Sequence, residues 1–78
     1  MREFTIQLKS VQEVQTFVGL ATACAFPVQV VDDSHRVNGK SFMEMFCLNL
    51  TQPLTVRCQC GEEEFQQFCR DAEGFLVK

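Results

Sequence analysis

Phe4, Ile6 and Leu8 alternate with Thr5, Gln7 and Lys9, and this period of two predicts a strand with one buried face. Ser10 then stands three residues before Glu13, the spacing of a capping box. Behind it Val11, Val14, Phe17, Val18 and Ala21 recur at helical spacing, which predicts a helix from about Val11 to Ala23. Gly19 lies inside that helix at a cost of about 1 kcal/mol against alanine, so a close approach to the underlying sheet is expected there. Pro27 is excluded from a helix interior, and Val28, Val30 and Val31 favour extended backbone. A second strand is predicted over about Phe26 to Asp32, a tight turn over Asp33-Ser34-His35, and a short third strand over His35 to Val37.

Asn38-Gly39 reads as a turn. Ser41 and Glu44 repeat the capping-box spacing and open a short helix to about Leu48. Phe42, Met45, Phe46 and Leu50 are its candidates for the core, and Met43 is the apolar side chain expected to stay exposed. After Pro53, a fourth strand places Leu54, Val56, Cys58 and Cys60 on one face and Thr55, Arg57 and Gln59 on the other. Gly61 ends it. Glu62, Glu63 and Glu64 then fall in the first turn of a last helix, where the macrodipole favours carboxylates, with Phe65, Phe68, Cys69 and Ala72 on its buried side. Gly74 is a candidate C-cap, with Phe75 and Leu76 folding back onto the core.

The order strand, helix, strand, strand, short helix, strand, helix requires the helices to share the one apolar face of the sheet. The fold class is therefore α+β: an open-faced sandwich with a four-stranded antiparallel sheet and three helices on one face. Its 78 residues form one domain, 1–78, with only roughly 60% of the chain's surface buried on folding. Apolar residues at 46% and charged residues at 22% are globular in balance and too hydrophobic for disorder. A net charge of −3 with scattered basic residues makes no basic stripe, which argues against nucleic acid. No apolar run reaches the roughly 20 residues of a membrane span, and Met1-Arg2-Glu3-Phe4 lacks a signal peptide's apolar core. A cytoplasmic monomer without cofactor is expected. Its five cysteines are read as reduced thiols packed as small hydrophobes.

This element order, with Asn38-Gly39-Lys40-Ser41-Phe42-Met43, then Leu48-Asn49-Leu50 and Gly61-Glu62-Glu63-Glu64, resembles HPr, the histidine-containing phosphocarrier family of the bacterial sugar phosphotransferase system. In that family an Asn-x-Lys-Ser run ends the third strand and opens the short helix. The phosphorylated histidine lies elsewhere, in a Gly-(Ile/Leu)-His-Ala-Arg-Pro-Ala run at the start of the first helix. Here Lys9-Ser10-Val11-Gln12-Glu13 replaces that run, shorter and without histidine, arginine or proline. Ser10 falls nearest the missing histidine. A serine hydroxyl without a base is a poor nucleophile, and Glu13 beside it would repel a phosphoryl group. Helix capping explains both.

The resemblance therefore implies a phosphotransferase-related protein that is not an enzyme, has no catalytic residue and has lost the carrier chemistry, leaving a regulatory or protein-binding module. Its implied partners are enzyme I, HPr kinase or a carbon-catabolite regulator. Ser41 aligns with the serine that the kinase modifies in related proteins, with capping, worth about 1 kcal/mol, as the plain alternative. Lys40, Met43 and Phe46 are the candidate docking surface. Ser10 and His35, the latter in a turn, are weaker phosphoacceptor candidates. Cys58 and Cys60, two apart on a strand, could present sulfurs to one ion or form a redox pair. No second pair at zinc spacing is visible, so packing is the expected role and no metal is assigned.

Overall fold

The computed structural model describes residues 2–77; Lys78, one of the basic residues, lies outside them. Strand β1 (Arg2–Ile6) leads to helix α1 (Val11–Thr22), strands β2 (Val28–Val31) and β3 (Arg36–Asn38), helix α2 (Phe42–Met45), strand β4 (Leu54–Cys58) and helix α3 (Glu62–Asp71). A 3-10 turn over Glu73–Phe75 follows. The strands form one antiparallel sheet in the order β1-β4-β2-β3.

Register explains which face is buried. Phe4 lies opposite Val56, Val56 opposite Val30, and Val30 opposite Val37, so one apolar row crosses the whole sheet on one side. Ile6 opposite Leu54 and Cys58 opposite Val28 flank that row. The same pairing puts Glu3, Thr5, Gln29, Arg36, Thr55 and Arg57 on the other side. There Arg57 Nε comes within 2.8 Å of Glu3 Oε2 from directly across the ladder. The N–H is not aligned on that oxygen, so the contact is a charge pair rather than a hydrogen bond.

Val14, Phe17 and Ala21 of α1, Met45 of α2 and Phe68 of α3 share one buried cluster with Ile6, Val30, Leu54, Val56 and Cys58. All three helices thus cover the apolar face, and the open-faced α+β sandwich is the observed architecture. Phe68 is its hub. Its ring lies edge-on to Phe4 at 5.5 Å and to Phe26 at 6.1 Å, and is stacked on Phe17 at 5.9 Å.

Local details differ from the sequence expectations. Val11 is 57% exposed, because the buried stripe of α1 begins at Val14. Gly19 faces solvent, and a Cβ there would meet nothing within 4 Å, so it makes no close approach to the sheet. Strand β3 is displaced one residue, to Arg36–Asn38. Helix α2 stops at Met45, and the next amides tighten to i−3 bonds, Cys47 N to Glu44 O and Leu48 N to Met45 O. That tightening turns Leu48 into the core and leaves Phe46 43% exposed.

Gly74 is not the cap of α3. Ala72 takes that place with φ −96°, and no described residue has positive φ. The 3-10 turn instead lays the following segment along the outer edge of β1, where Gln7 N donates to Phe75 O at 2.8 Å and Val77 N to Thr5 O at 3.0 Å. An edge strand that would otherwise offer unpaired backbone is covered.

Candidate functional site

Ser10 is the N-cap of α1, with extended backbone (φ −154°, ψ 163°), and its Oγ accepts from Glu13 N at 3.2 Å. Glu13 folds back one residue further than a capping box requires: its Oε1 accepts from Lys9 N at 2.9 Å. A carboxylate therefore already occupies the electropositive entry to α1, where an anion would bind. Beside it is a hollow of about 570 Å³ lined by Gln7, Leu8, Lys9, Ser10, Val11, Leu50 and Thr51. Lys9 is the only charged residue in that lining. Gln7 Nε2 donates to Leu50 O at 3.1 Å and ties the end of β1 to the loop before β4.

The second helix start is built by the Asn38–Ser41 turn. Asn38 accepts twice, through Oδ1 from Lys40 N at 2.9 Å and through its carbonyl from Ser41 N at 3.0 Å. Gly39 N donates to Val28 O at 2.8 Å, which presses the turn onto β2. Ser41 Oγ then accepts from Glu44 N at 3.3 Å, and Glu44 Oε1 reaches Asn38 N at 3.4 Å. The expected cap is present, with its acid again turned toward the residue before the turn.

Around Ser41 the candidate docking residues separate. Met43 is 79% exposed, and Phe46 stands edge-on to Phe42 at 4.9 Å with 43% exposure. Lys40 behaves differently: its Nζ donates to Cys24 O at 2.8 Å. That ammonium satisfies a carbonyl just beyond the end of α1, a helix with no basic residue in its last turn. Neither periodicity nor spacing signals a bond across sixteen residues.

His35 lies in the β2–β3 turn and does not line the hollow beside Ser10. Its side chain is 58% exposed, with Nδ1 3.5 Å from Asp32 Oδ1. The residue that organises this turn is Asp32, which the sequence did not single out. Oδ1 accepts from Ser34 N at 2.8 Å and His35 N at 2.6 Å, and Oδ2 accepts from Asn49 N at 2.9 Å. One carboxylate thus joins the β2–β3 turn to the loop after α2. The Asn49 bond first, then those from Ser34 and His35, hold its pKa down from 3.8 to about 2. A depressed folded-state value stabilises the fold above the unfolded value and loses that contribution as pH falls through the folded one. Thermal melts between pH 5 and about 2 should therefore fall more steeply for the native chain than for Asp32→Asn, chiefly from about pH 4 down. Parallel acid limbs would contradict this role.

Cys58 is fully buried, and burial pushes its thiol up to about 12. Burial likewise raises Cys24, Cys60 and Cys69. These groups are thiols rather than thiolates at neutral pH, and weak nucleophiles. Among the described residues no three His, Cys, Asp or Glu side chains are placed to hold one metal ion, and no helix is long and apolar enough to cross a membrane.

A four-stranded antiparallel sheet covered on one face by three helices, with serine-capped starts to α1 and α2, defines an open-faced α+β sandwich. No protein-family model and no curated protein matches the chain. Among solved structures it is similar to HPr-C-His from Thermoanaerobacter tengcongensis, with a TM-score of 0.76 and 24% identity over 95% of this chain and 93% of that one. The chain has an HPr-like fold.

Proposed function

We propose that this HPr-fold protein is a phosphotransferase-related regulatory or protein-binding module that has lost histidine phosphocarrier activity. The observation that carries the proposal is the start of α1. The cap is Ser10, no histidine lines the adjoining hollow, and Glu13 already holds the amide of Lys9. A phosphoryl group arriving there would meet the negative charge of Glu13, whose carboxylate is bonded to Lys9 N and not to the Ser10 hydroxyl it would have to activate. Binding to proteins of the sugar phosphotransferase system would instead use the exposed apolar side chains of Met43 and Phe46 beside the Ser41 turn.

Incubation with enzyme I and phosphoenolpyruvate, beside an ordinary HPr as positive control, is expected to give no mass gain. A gain of one phosphate on this chain would overturn the loss of carrier activity. A second reading, regulation by a kinase at Ser41, is favoured by the intact Asn38–Ser41 turn, and a phosphate there would have to displace the Glu44 carboxylate from Asn38 N. HPr kinase with ATP would then label the native chain and leave Ser41→Ala unlabelled; an unlabelled native chain would remove that reading.

A further inference from the structure

Neither serine cap lines a groove of about 340 Å³ that α3 leaves where it lies against the C-terminal half of α1. Its floor is apolar, with Leu20 from α1, the buried ring of Phe26 just before β2, and Phe68 from α3. Its rim is acidic, with Glu63, Glu64 and Asp71 on the α3 side. Among the described residues, no lysine, arginine or histidine nitrogen lies within 4 Å of these carboxylates.

Helix energetics accounts for part of this rim only. Glu63 and Glu64 lie in the first turn of α3, where the macrodipole favours them, and Glu64 Oε1 also accepts from Gly61 N at 3.3 Å. Asp71 is the last residue of the same helix, where negative charge is disfavoured. Its support is neutral, the amide of Gln67, which donates to Oδ1 at 3.0 Å. The acids reach across the groove: Asp71 and Glu64 both raise the Cys24 thiol on the α1 wall, against a lowering by Lys40, with burial the largest cause of its upward shift. Lys40 itself is held on the Cys24 carbonyl and does not line the groove.

We infer that this groove is a docking surface for a basic amphipathic helix of a partner protein, which seats an apolar side chain on Phe26 and Phe68 and sets lysine or arginine against Glu63, Glu64 and Asp71. The apolar floor distinguishes this occupant from a simple organic cation, which would have nothing to bury there. Glu64 and Asp71 are two turns apart, roughly 10 Å along the axis, the distance between basic residues seven apart on a facing helix. Helix-in-groove recognition uses this combination of one apolar face and flanking charge. The surface requires no phosphate chemistry, so it stands independently of the proposed regulatory role.

The test is an NMR titration of the whole protein with a synthetic helical peptide that carries a leucine stripe flanked by lysines seven residues apart. Saturable shifts are expected at Leu20, Cys24, Gln67 and Asp71. E63Q/D71N should weaken binding about tenfold, whereas E62Q/E73Q, with the same change in net charge outside the groove, should weaken it less than about twofold. Glu62 is turned toward Gln66 Nε2, 3.4 Å away, so its loss leaves the rim intact. Equal weakening by both variant pairs would show diffuse charge attraction and overturn the proposal. Shifts centred on Met43 and Phe46, equal shifts from spermidine alone, or no saturable shift at all would overturn it too.

Discussion

Phe68→Ala is expected to remove about 3–5 kcal/mol of stability, the largest effect of any single truncation considered for this chain. The side chain is 2% exposed and its ring meets those of Phe4, Phe17 and Phe26, so β1, α1, the approach to β2 and α3 all lose contact at once. A domain of this length has roughly 4–12 kcal/mol in total at ~0.05–0.15 kcal/mol per residue. Urea melts should therefore show the alanine variant with a much lower midpoint and a partly unfolded baseline. Phe68→Leu, which refills most of the volume, should recover more than half of the loss. A midpoint for Phe68→Ala close to that of the native chain would show that the rings are not mutually supporting.

The second large effect is expected at Gly39, where alanine should destabilise by about 1–3 kcal/mol through overpacking. A Cβ at this buried position would stand 2.8 Å from Val28 Cγ1 and 3.2 Å from Val30 Cγ2. Both neighbours are β-branched and held in the sheet, so neither side chain can rotate away cheaply. The glycine is needed for the approach of the turn to β2 and not for its dihedral angles, since no described residue has positive φ. Gly19→Ala supplies the control. That position is open, so alanine there should stabilise by up to about 1 kcal/mol through helix propensity. Melting temperatures that move the same way for both variants would contradict the packing account.

Much of the candidate site was legible because capping is local. Ser10 with Glu13, and Ser41 with Glu44, announce helix starts within four residues of chain, and both serines cap as their spacing implied. The targets of the two acids were not legible. Glu13 chooses Lys9 N and Glu44 chooses Asn38 N, because the path of the chain entering each helix sets which amide is within reach. Lys40 and Asp32 were beyond local reasoning altogether. One bonds sixteen residues back to Cys24 O, the other seventeen residues forward to Asn49 N.

The stretch Val37 to Phe46 shows where the division falls. Alternation in the strands, helical spacing in the helices and the order of elements were enough to determine an open-faced α+β sandwich, because a sheet with one apolar face has to be covered on that side. Residue types alone also determined that no histidine stands at the start of α1. Only the tertiary structure decided that Gly39 is pressed against Val28, that Lys40 closes off α1, and that Leu48 rather than Phe46 enters the core. It alone brought the acids of α3 over an apolar floor formed with α1. The physical reason is range: periodicity and capping act within a few residues, whereas close approach, long hydrogen bonds and grooves depend on segments that meet only when the sheet is assembled.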